Sequence, residues 1–368
     1  MARNRVIYQS EALYVSSGLN STTSGAHAQL ERVQSANYNF SISRQDINQY
    51  GQLSRIDSIV LEPPTVGLDF TYYLTDGFNE RALGFYVATG SQNSGNFPSG
   101  HMTAQSGQNF YITTVAEGAD ATGVTAINSV IGVGNAFLSN YSLDLAVGSL
   151  PTVSVSMEGS NINSVTGTTI TGGAISGISS PAISPSSGTS LGLTGVLKPA
   201  NTGYSAISAL RPGDITISLS SFNNTGISDL GPESEAIHIQ SASLAIPLSR
   251  TPLQRLGTKF AYARAVDFPV KATLSVKAIV NEVVATDLSN ILNDGVQKDI
   301  SLTLKGPDGT TNKMIWILKG CTLDSESFSS SIGSNKSVDL SFSTQIGGPN
   351  DTAHGILVSG ANTTAVFS

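Results

Sequence analysis

Charge is scarce in this chain: Asp, Glu, Lys and Arg make up 12 % of its 368 residues, against about a quarter in an ordinary globular protein. The little there is sums to −7. A nucleic-acid reader neutralises phosphate with Lys and Arg, so that class is excluded. Cysteine is nearly absent. Cys321 stands alone, which forbids an intrachain disulfide and reads as a small buried side chain in a strand. No apolar run approaches the length that spans a bilayer. The opening MARNRVIYQSEALYV has no apolar segment of the secretory kind. The expectation is a chain made and folded in a cytoplasm, with no membrane partner. The Asn-x-Ser/Thr triplets at Asn20, Asn140 and Asn362 then arise by chance in a chain rich in Ser, Thr and Asn.

A catalytic kit is missing as well. His27, His101, His238 and His354 are the four histidines, and none stands at metal-ligand spacing from another His or from the cysteine. The GTSLG string at Gly188–Gly192 has the letters of a nucleophile elbow around Ser190. It lies in a Gly/Ser tract rather than between a strand and a helix. The GVG at Gly132–Gly134 lacks a third glycine and a βαβ setting. Glu233 and Glu235 form a close acidic pair in what reads as a loop. No enzyme, cofactor or metal is expected.

What the chain does have is a copy of itself. VQSANYNFSISRQDINQYG begins at Val33, and IQSASLAIPLSRTPLQRLG begins at Ile239. Gln34 and Gln240, Arg44 and Arg250, Gly51 and Gly257, Pro63 and Pro269, Leu68 and Leu274 all stand 206 apart (240 − 34 = 206). The hydrophobic phase recurs too. Ala36, Tyr38, Phe40 and Ile42 alternate with polar residues, as do Ala242, Leu244, Ile246 and Leu248. Val66, Leu68, Phe70 and Tyr72 form a second such strand, matched by Ala272, Leu274, Val276 and Ala278. Strict alternation marks a strand with one buried and one wetted face.

Further on the offsets shrink. Leu143–Asp144 matches Leu323–Asp324 at 323 − 143 = 180, and Val153, Val155 and Met157 match Val338, Leu340 and Phe342 at 338 − 153 = 185. Taken at 180, the first unit carries 206 − 180 = 26 extra residues, expected near Gly90–Gly107.

Two small antiparallel β domains follow from this, over 1–158 (with a loop insertion about 89–110) and 204–346. Each carries one short helix: near Phe78–Gly84 in the first, over Asn281–Asn293 in the second. Gly306-Pro307-Asp308-Gly309 between Ser301–Lys305 and Met314–Lys319 is a hairpin turn. Between the domains, 159–203 is a Gly/Ser-rich tract that reads as a linker. Its spaced Ile170, Ile175, Ile178, Leu191 and Leu193 suit an arm folded over a neighbouring subunit instead. The tail, 347–368, could be a second arm. Arg44 and Arg250 each close a strand, with a structural role favoured. Gly51 and Gly257 supply a positive φ at a turn, and Pro63 and Pro269 precede the second strand, where a missing donor is tolerated.

On these residues, VQSANYNFSISRQDINQYGQLSRIDSIVLEPPTVGLDFTYYL and its echo from Ile239 to Val280, the chain resembles bacteriophage tail tube proteins. The resemblance covers the two units but neither the 159–203 tract nor the tail. It implies two tandem tail-tube-like β-sandwich or barrel domains in a mainly β chain. It implies rings of six domains, hence three chains, stacked around a channel for double-stranded DNA. It further implies a place in the virion tail after assembly in the host cytoplasm, and contacts with tape measure, terminator, baseplate or sheath proteins. DNA would pass without specific binding. Tyr38, Phe40, Leu68, Phe70, Leu244, Ile246, Leu274 and Val276 would then face the core. Asn37, Asn39, Ser41, Asp69, Thr71, Ser243 and Ser275 would face the lumen, where Lys271 and Lys277 cut against a purely acidic lining. Alternative readings are a capsid decoration or baseplate component, or a bacterial surface fibre or adhesin.

Overall fold

The computed structural model describes residues 11–17, 27–89, 95–103, 107–115, 121, 129–166, 169–171, 174–184, 187–191, 194–197, 210, 213, 215–219, 237–258, 260–280, 297–306, 308–329, 335, 337–362 and 366. The chain is mainly β. The first unit contains β1 (Glu11–Ser16), β2 (His27–Gln29), β3 (Val33–Ser41), β4 (Arg44–Ile47), β5 (Asp57–Val60), β6 (Thr65–Tyr73), α1 (Phe78–Ala82), β7 (Ala88–Thr89), α2 (Ser99–Thr103), β8 (Gln108–Thr114), β9 (Ser129–Ala146) and β10 (Thr152–Gly159). After it come β11 (Asn161–Val165), β12 (Thr169–Thr171), β13 (Ala174–Ser179) and β14 (Thr194–Leu197). The second unit holds β15 (Ile215–Leu219), β16 (Ile237–Pro247), β17 (Arg250–Leu253), β18 (Ala263–Val266), β19 (Val270–Val280), β20 (Lys298–Lys305), β21 (Asn312–Ser329) and β22 (Ser337–Ile346), and the tail adds β23 (Gly355–Gly360). The helix expected over Asn281–Asn293 lies outside the described residues.

A run of eight antiparallel strands, β3-β6-β10-β9-β16-β19-β22-β21, forms the central sheet. Its two halves repeat each other in order and in register. Ala36 lies opposite Phe70, and Ala242 lies opposite Val276, both members 206 later. The irregularity that skips Gln34 recurs at Gln240. Val155 opposite Phe70 recurs as Leu340 opposite Val276, and 340 − 155 = 185.

One match made from the sequence needs correction. Val155 lies opposite Tyr141, and Leu340 opposite Glu326, so β21 follows β9 at 326 − 141 = 185 rather than 180. Leu143 therefore corresponds to Phe328, not to Leu323. The first unit is longer by 206 − 185 = 21 residues between these strands, not 26. The repeated Leu-Asp dipeptide misled because the true counterpart of Tyr141–Leu143 in β21 is an exposed edge, and it has lost its alternation of large apolar residues.

β9 and β21, 18 residues each, run out of the central sheet into an outer one. Their first halves pair with β8 and β11, and with β20 and β23. The expected hairpin at Gly306–Gly309 is the β20–β21 turn, with Gly309 at φ +67°. Outer and central sheets face each other across one apolar core. Phe70 meets Phe110 at 5.9 Å between ring centroids, and Leu68, Leu274, Ile300 and Trp316 belong to the same buried cluster. Cys321 is buried there, and burial pushes its thiol up to about 12.

The two units share that core. Phe97 lies against Trp316 at 4.7 Å, and Tyr141 against Trp316 at 5.9 Å. Asn96 donates to the carbonyls of Gly348 and Asp351 and accepts from Ile356 N. β23 is buried throughout and sits between β21 and β7 of the first unit. The tail is therefore part of the fold as far as Gly360.

The 159–203 tract is likewise built in. β11 completes an outer sheet, while β12, β13 and β14 form a small sheet of their own. Ile175, Ile178 and Leu197 are buried with Tyr14, Tyr111 and Val130 of the first unit. The described parts of the tract dock on their own chain. Gly132 and Gly134 explain themselves here: a Cβ on either would run into Pro181.

α1 matches the short helix expected at Phe78–Gly84 and carries a buried acid. Tyr72 donates to Glu80 Oε1 at 2.7 Å and Tyr141 donates to the same oxygen at 3.3 Å. Oε2 has no hydrogen-bond partner. Burial pushes the Glu80 carboxyl up to about 7, against the lowering effect of the Tyr72 hydrogen bond.

Candidate functional site

The central sheet has one apolar and one polar face because its strands alternate, apart from the exposed end of β21. On the apolar side Val66, Leu68, Phe70 and Tyr72 are buried, and so are Ala272, Leu274, Val276 and Ala278. The opposite side is a continuous field of small polar groups. Asn37, Asp69, Ser156 and Asn140 lie opposite one another in turn across four strands. Asp144, Ser243, Ser275, Ser341 and Ser325 make a comparable row from β9 across the other four strands. Hydroxyls bridge neighbouring strands: Ser35 with Thr71 at 2.7 Å, Ser41 with Thr65 at 3.1 Å, and Ser243 donating to Asp144 at 2.6 Å. A groove of about 440 Å³ runs over the second half, lined by Asp144, Ser243, Ser275, Lys277, Asp339 and Ser341 among others.

Both lysines on this face are held by carboxylates on it. Lys271 reaches Asp324 at 2.9 Å, and Lys277 lies 3.9 Å from Asp339. Arg264 of β18 binds Glu158 at 3.0 Å. The two exposed lysine pairs stabilise little, and Asp69 and Asp144 remain as carboxylates with no cation bound among the described residues. Asn37, Asn39, Ser41, Asp69, Thr71, Ser243 and Ser275 all belong to this one face. Asp144, Asp324 and Asp339 were missed. The same period-two alternation, carried onto β9, β21 and β22, would have found the first and last. Asp324 sits at a register irregularity where alternation fails.

Tyr38 and Phe40 stand on the core side of the sheet, as expected, but are not buried. They are 43 % and 58 % exposed, and Ile42 is 42 % exposed. Their counterparts Leu244, Ile246 and Leu248 are buried. The difference is position: β16 is flanked by β9 and β19, whereas β3 pairs only with β6 among the described strands. The following hairpins are also equivalent. Arg44 lies opposite Val60 in β4–β5, as Arg250 lies opposite Val266 in β17–β18. Gly51 and Gly257 take φ +88° and +86° at the tips, and Tyr50 and Leu256 just before them are fully exposed.

Arg44 and Arg250 open these hairpin strands rather than closing the preceding ones. Arg250 donates to the carbonyls of His101 (2.6 Å) and Arg264 (3.1 Å) and lies 5.0 Å over the Phe137 ring, fastening its hairpin to the first unit. Arg44 is exposed. Pro63 and Pro269 precede β6 and β19, and the Phe268–Pro269 bond is cis.

The other candidates dissolve into structure. Burial pushes His27 down to about 4 and His101 down to about 3, so both are neutral core residues. Ser190 lies in an isolated bridge with Ile183, and the next element is strand β14, not a helix. Glu233 and Glu235 lie outside the described residues. Among the described residues no group of three His, Cys, Asp or Glu could hold a metal ion.

No protein-family model matches the chain, and no curated protein matches it. Among solved structures, a chain of the anti-feeding prophage baseplate, from a six-fold symmetrised reconstruction, is similar at 11 % identity and a TM-score of 0.25, covering 40 % of this chain and 93 % of its own. A chain of a native gene transfer agent virion is similar at 16 % identity and a TM-score of 0.22, covering 42 % of this chain and 100 % of its own.

Proposed function

We propose that this chain is a structural protein of a phage virion, the repeating subunit of a tail tube. The observation that carries the reading is the junction between β9 and β16. There one four-stranded unit accepts the edge of the next in an antiparallel sheet, within a single chain. The chain's two outer edges, β3 and the end of β21, correspond to the two strands already joined there. A head-to-tail contact of this kind closes into a ring if its rotation divides the circle, and it abolishes the exposed edges.

Three copies carry six units and 24 central strands. At about 4.8 Å per strand these give a wall roughly 37 Å across at the backbone, against about 24 Å for two copies. Side chains reaching inward about 5 Å from each wall leave the smaller ring too narrow for a duplex. The polar face lines the channel in this reading, and its paired lysines and free carboxylates give phosphate nothing to grip. Stacked rings then form the conduit, ended by other tail proteins such as tape measure, terminator, baseplate or sheath. DNA crosses without specific binding, and the chain does no chemistry.

Negative-stain imaging of the purified protein tests this. Tubes whose end views average to a threefold ring with six similar lobes are expected. Monomers, or closed particles that never stack, would refute it.

A further inference from the structure

Taking the chain as the ring-forming subunit proposed above, we infer that copies join edge to edge in one definite register, with Tyr38 of one copy opposite Phe328 of the next. The internal junction supplies the template. At that junction Leu244 lies opposite Leu143 and Ile246 opposite Tyr141. Moving β16 back onto β3 turns Leu244 into Tyr38 (244 − 206 = 38) and Ile246 into Phe40 (246 − 206 = 40). Moving β9 forward onto β21 turns Leu143 into Phe328 (143 + 185 = 328). The same transposition sets Asn39 opposite Ser327 and Asn37 opposite Ser329.

Exposure supports this register. Leu244 and Leu143 are 1 % and 0 % exposed, whereas Tyr38 and Phe328 are 43 % and 51 % exposed. Both large side chains stand on the core side of the sheet, since Tyr38 lies opposite Leu68 and Phe328 opposite Val338. Each waits at a position that its counterpart fills with buried apolar surface. Apolar side chains on an unpaired edge are a liability unless a partner covers them. A directly opposed aromatic pair is among the stronger cross-strand contacts. Among the described strands nothing else pairs with β3 beyond β6, or with 322–329 of β21 beyond β22.

The test is a cysteine pair. Tyr38 and Phe328 lie seven strand spacings apart within one chain, about 34 Å along the sheet. A disulfide needs the two Cα atoms within about 7 Å, so a bond between them must link two chains. The double variant Tyr38→Cys/Phe328→Cys, oxidised, should give a non-reducing ladder that ends at a closed trimer. The shifted pair Tyr38→Cys/Glu326→Cys should cross-link at least tenfold more slowly. Equal rates, or no cross-link in preparations that form rings, would overturn the register while leaving the tube reading intact. Absence of rings in the unmodified protein would overturn both. Tyr38→Asp and Phe328→Asp guard against misfolding, because both residues are exposed in the single chain. Each should give a monomer with an unchanged circular dichroism spectrum, and rings formed by either variant would refute the pairing.

Discussion

Glu80→Gln is the most informative single substitution in the core. The carboxyl is buried, with two tyrosine hydroxyls on one oxygen and none on the other. Burial moves it from 4.5 to about 7. At about 1.36 kcal/mol per unit, that shift corresponds to roughly 3 kcal/mol. The sign follows from proton counting. Between pH 4.5 and 7 the folded chain keeps a proton that the unfolded chain has released, so this group's contribution to stability falls as pH rises through that window. Below 4.5 both states are protonated and the loss vanishes.

Glutamine keeps an oxygen for Tyr72 and cannot ionise. The assay is urea unfolding of the monomeric Tyr38→Asp background, with and without Glu80→Gln, at pH 4.5 and 7.5. Subtracting the two backgrounds cancels the other titrating groups. The variant should gain about 3 kcal/mol relative to its parent on going from the lower to the higher pH. An equal difference at both pH values would show that Glu80 is not held in the environment described.

Three further outcomes follow. His101 is held near 3 by burial and by the neighbouring Arg250 charge, so stability should fall as pH drops from 6.5 towards 3, and His101→Gln should flatten that limb in urea unfolding. Gly134→Val should force the 180–183 segment off β9, since a Cβ there meets the Pro181 backbone; limited proteolysis should then cut the tract at least several-fold faster, and an unchanged rate would refute the close packing. Asp69→Lys places a bare cation on the polar face, and should slow DNA ejection or lower titre while tube length stays normal; an unchanged ejection rate counts against a channel-facing Asp69.

Much of the central sheet was legible because alternation is a local signal. Val66–Tyr72 and Ala272–Ala278 each announce one buried face, and the constant offset announces that both units share a register. What sequence could not show was which strand ends up uncovered. Tyr38 and Leu244 look equally like core residues; only the neighbour that β16 has and β3 lacks separates them. The 159–203 tract looked like a linker because Gly and Ser dominate it. Yet Gly134 on β9 admits its backbone at close range, Gly132 admits the Pro181 ring, and Ile175 and Ile178 anchor it. The meeting of Phe97 with Trp316, and of Asn96 with the tail, joins residues some 220 to 260 positions apart. No short-range pattern encodes such contacts. Among the polar-face residues, Asp69 was within reach because it sits in the best-matched strand, while Asp324 was hidden by a break in alternation.

β23 sets an order of events during synthesis. Residues 355–360 leave the ribosome after both units, yet they complete the sheet that reaches β7, and Ile356 among them donates its N–H to Asn96 in the first unit. The first unit therefore stays unfinished until residue 360 has been made. A copy that stops short of Gly355 carries an open flank at β7 and leaves the Trp316 stretch of β21 paired with β20 alone, so it should unfold at lower urea than the full chain.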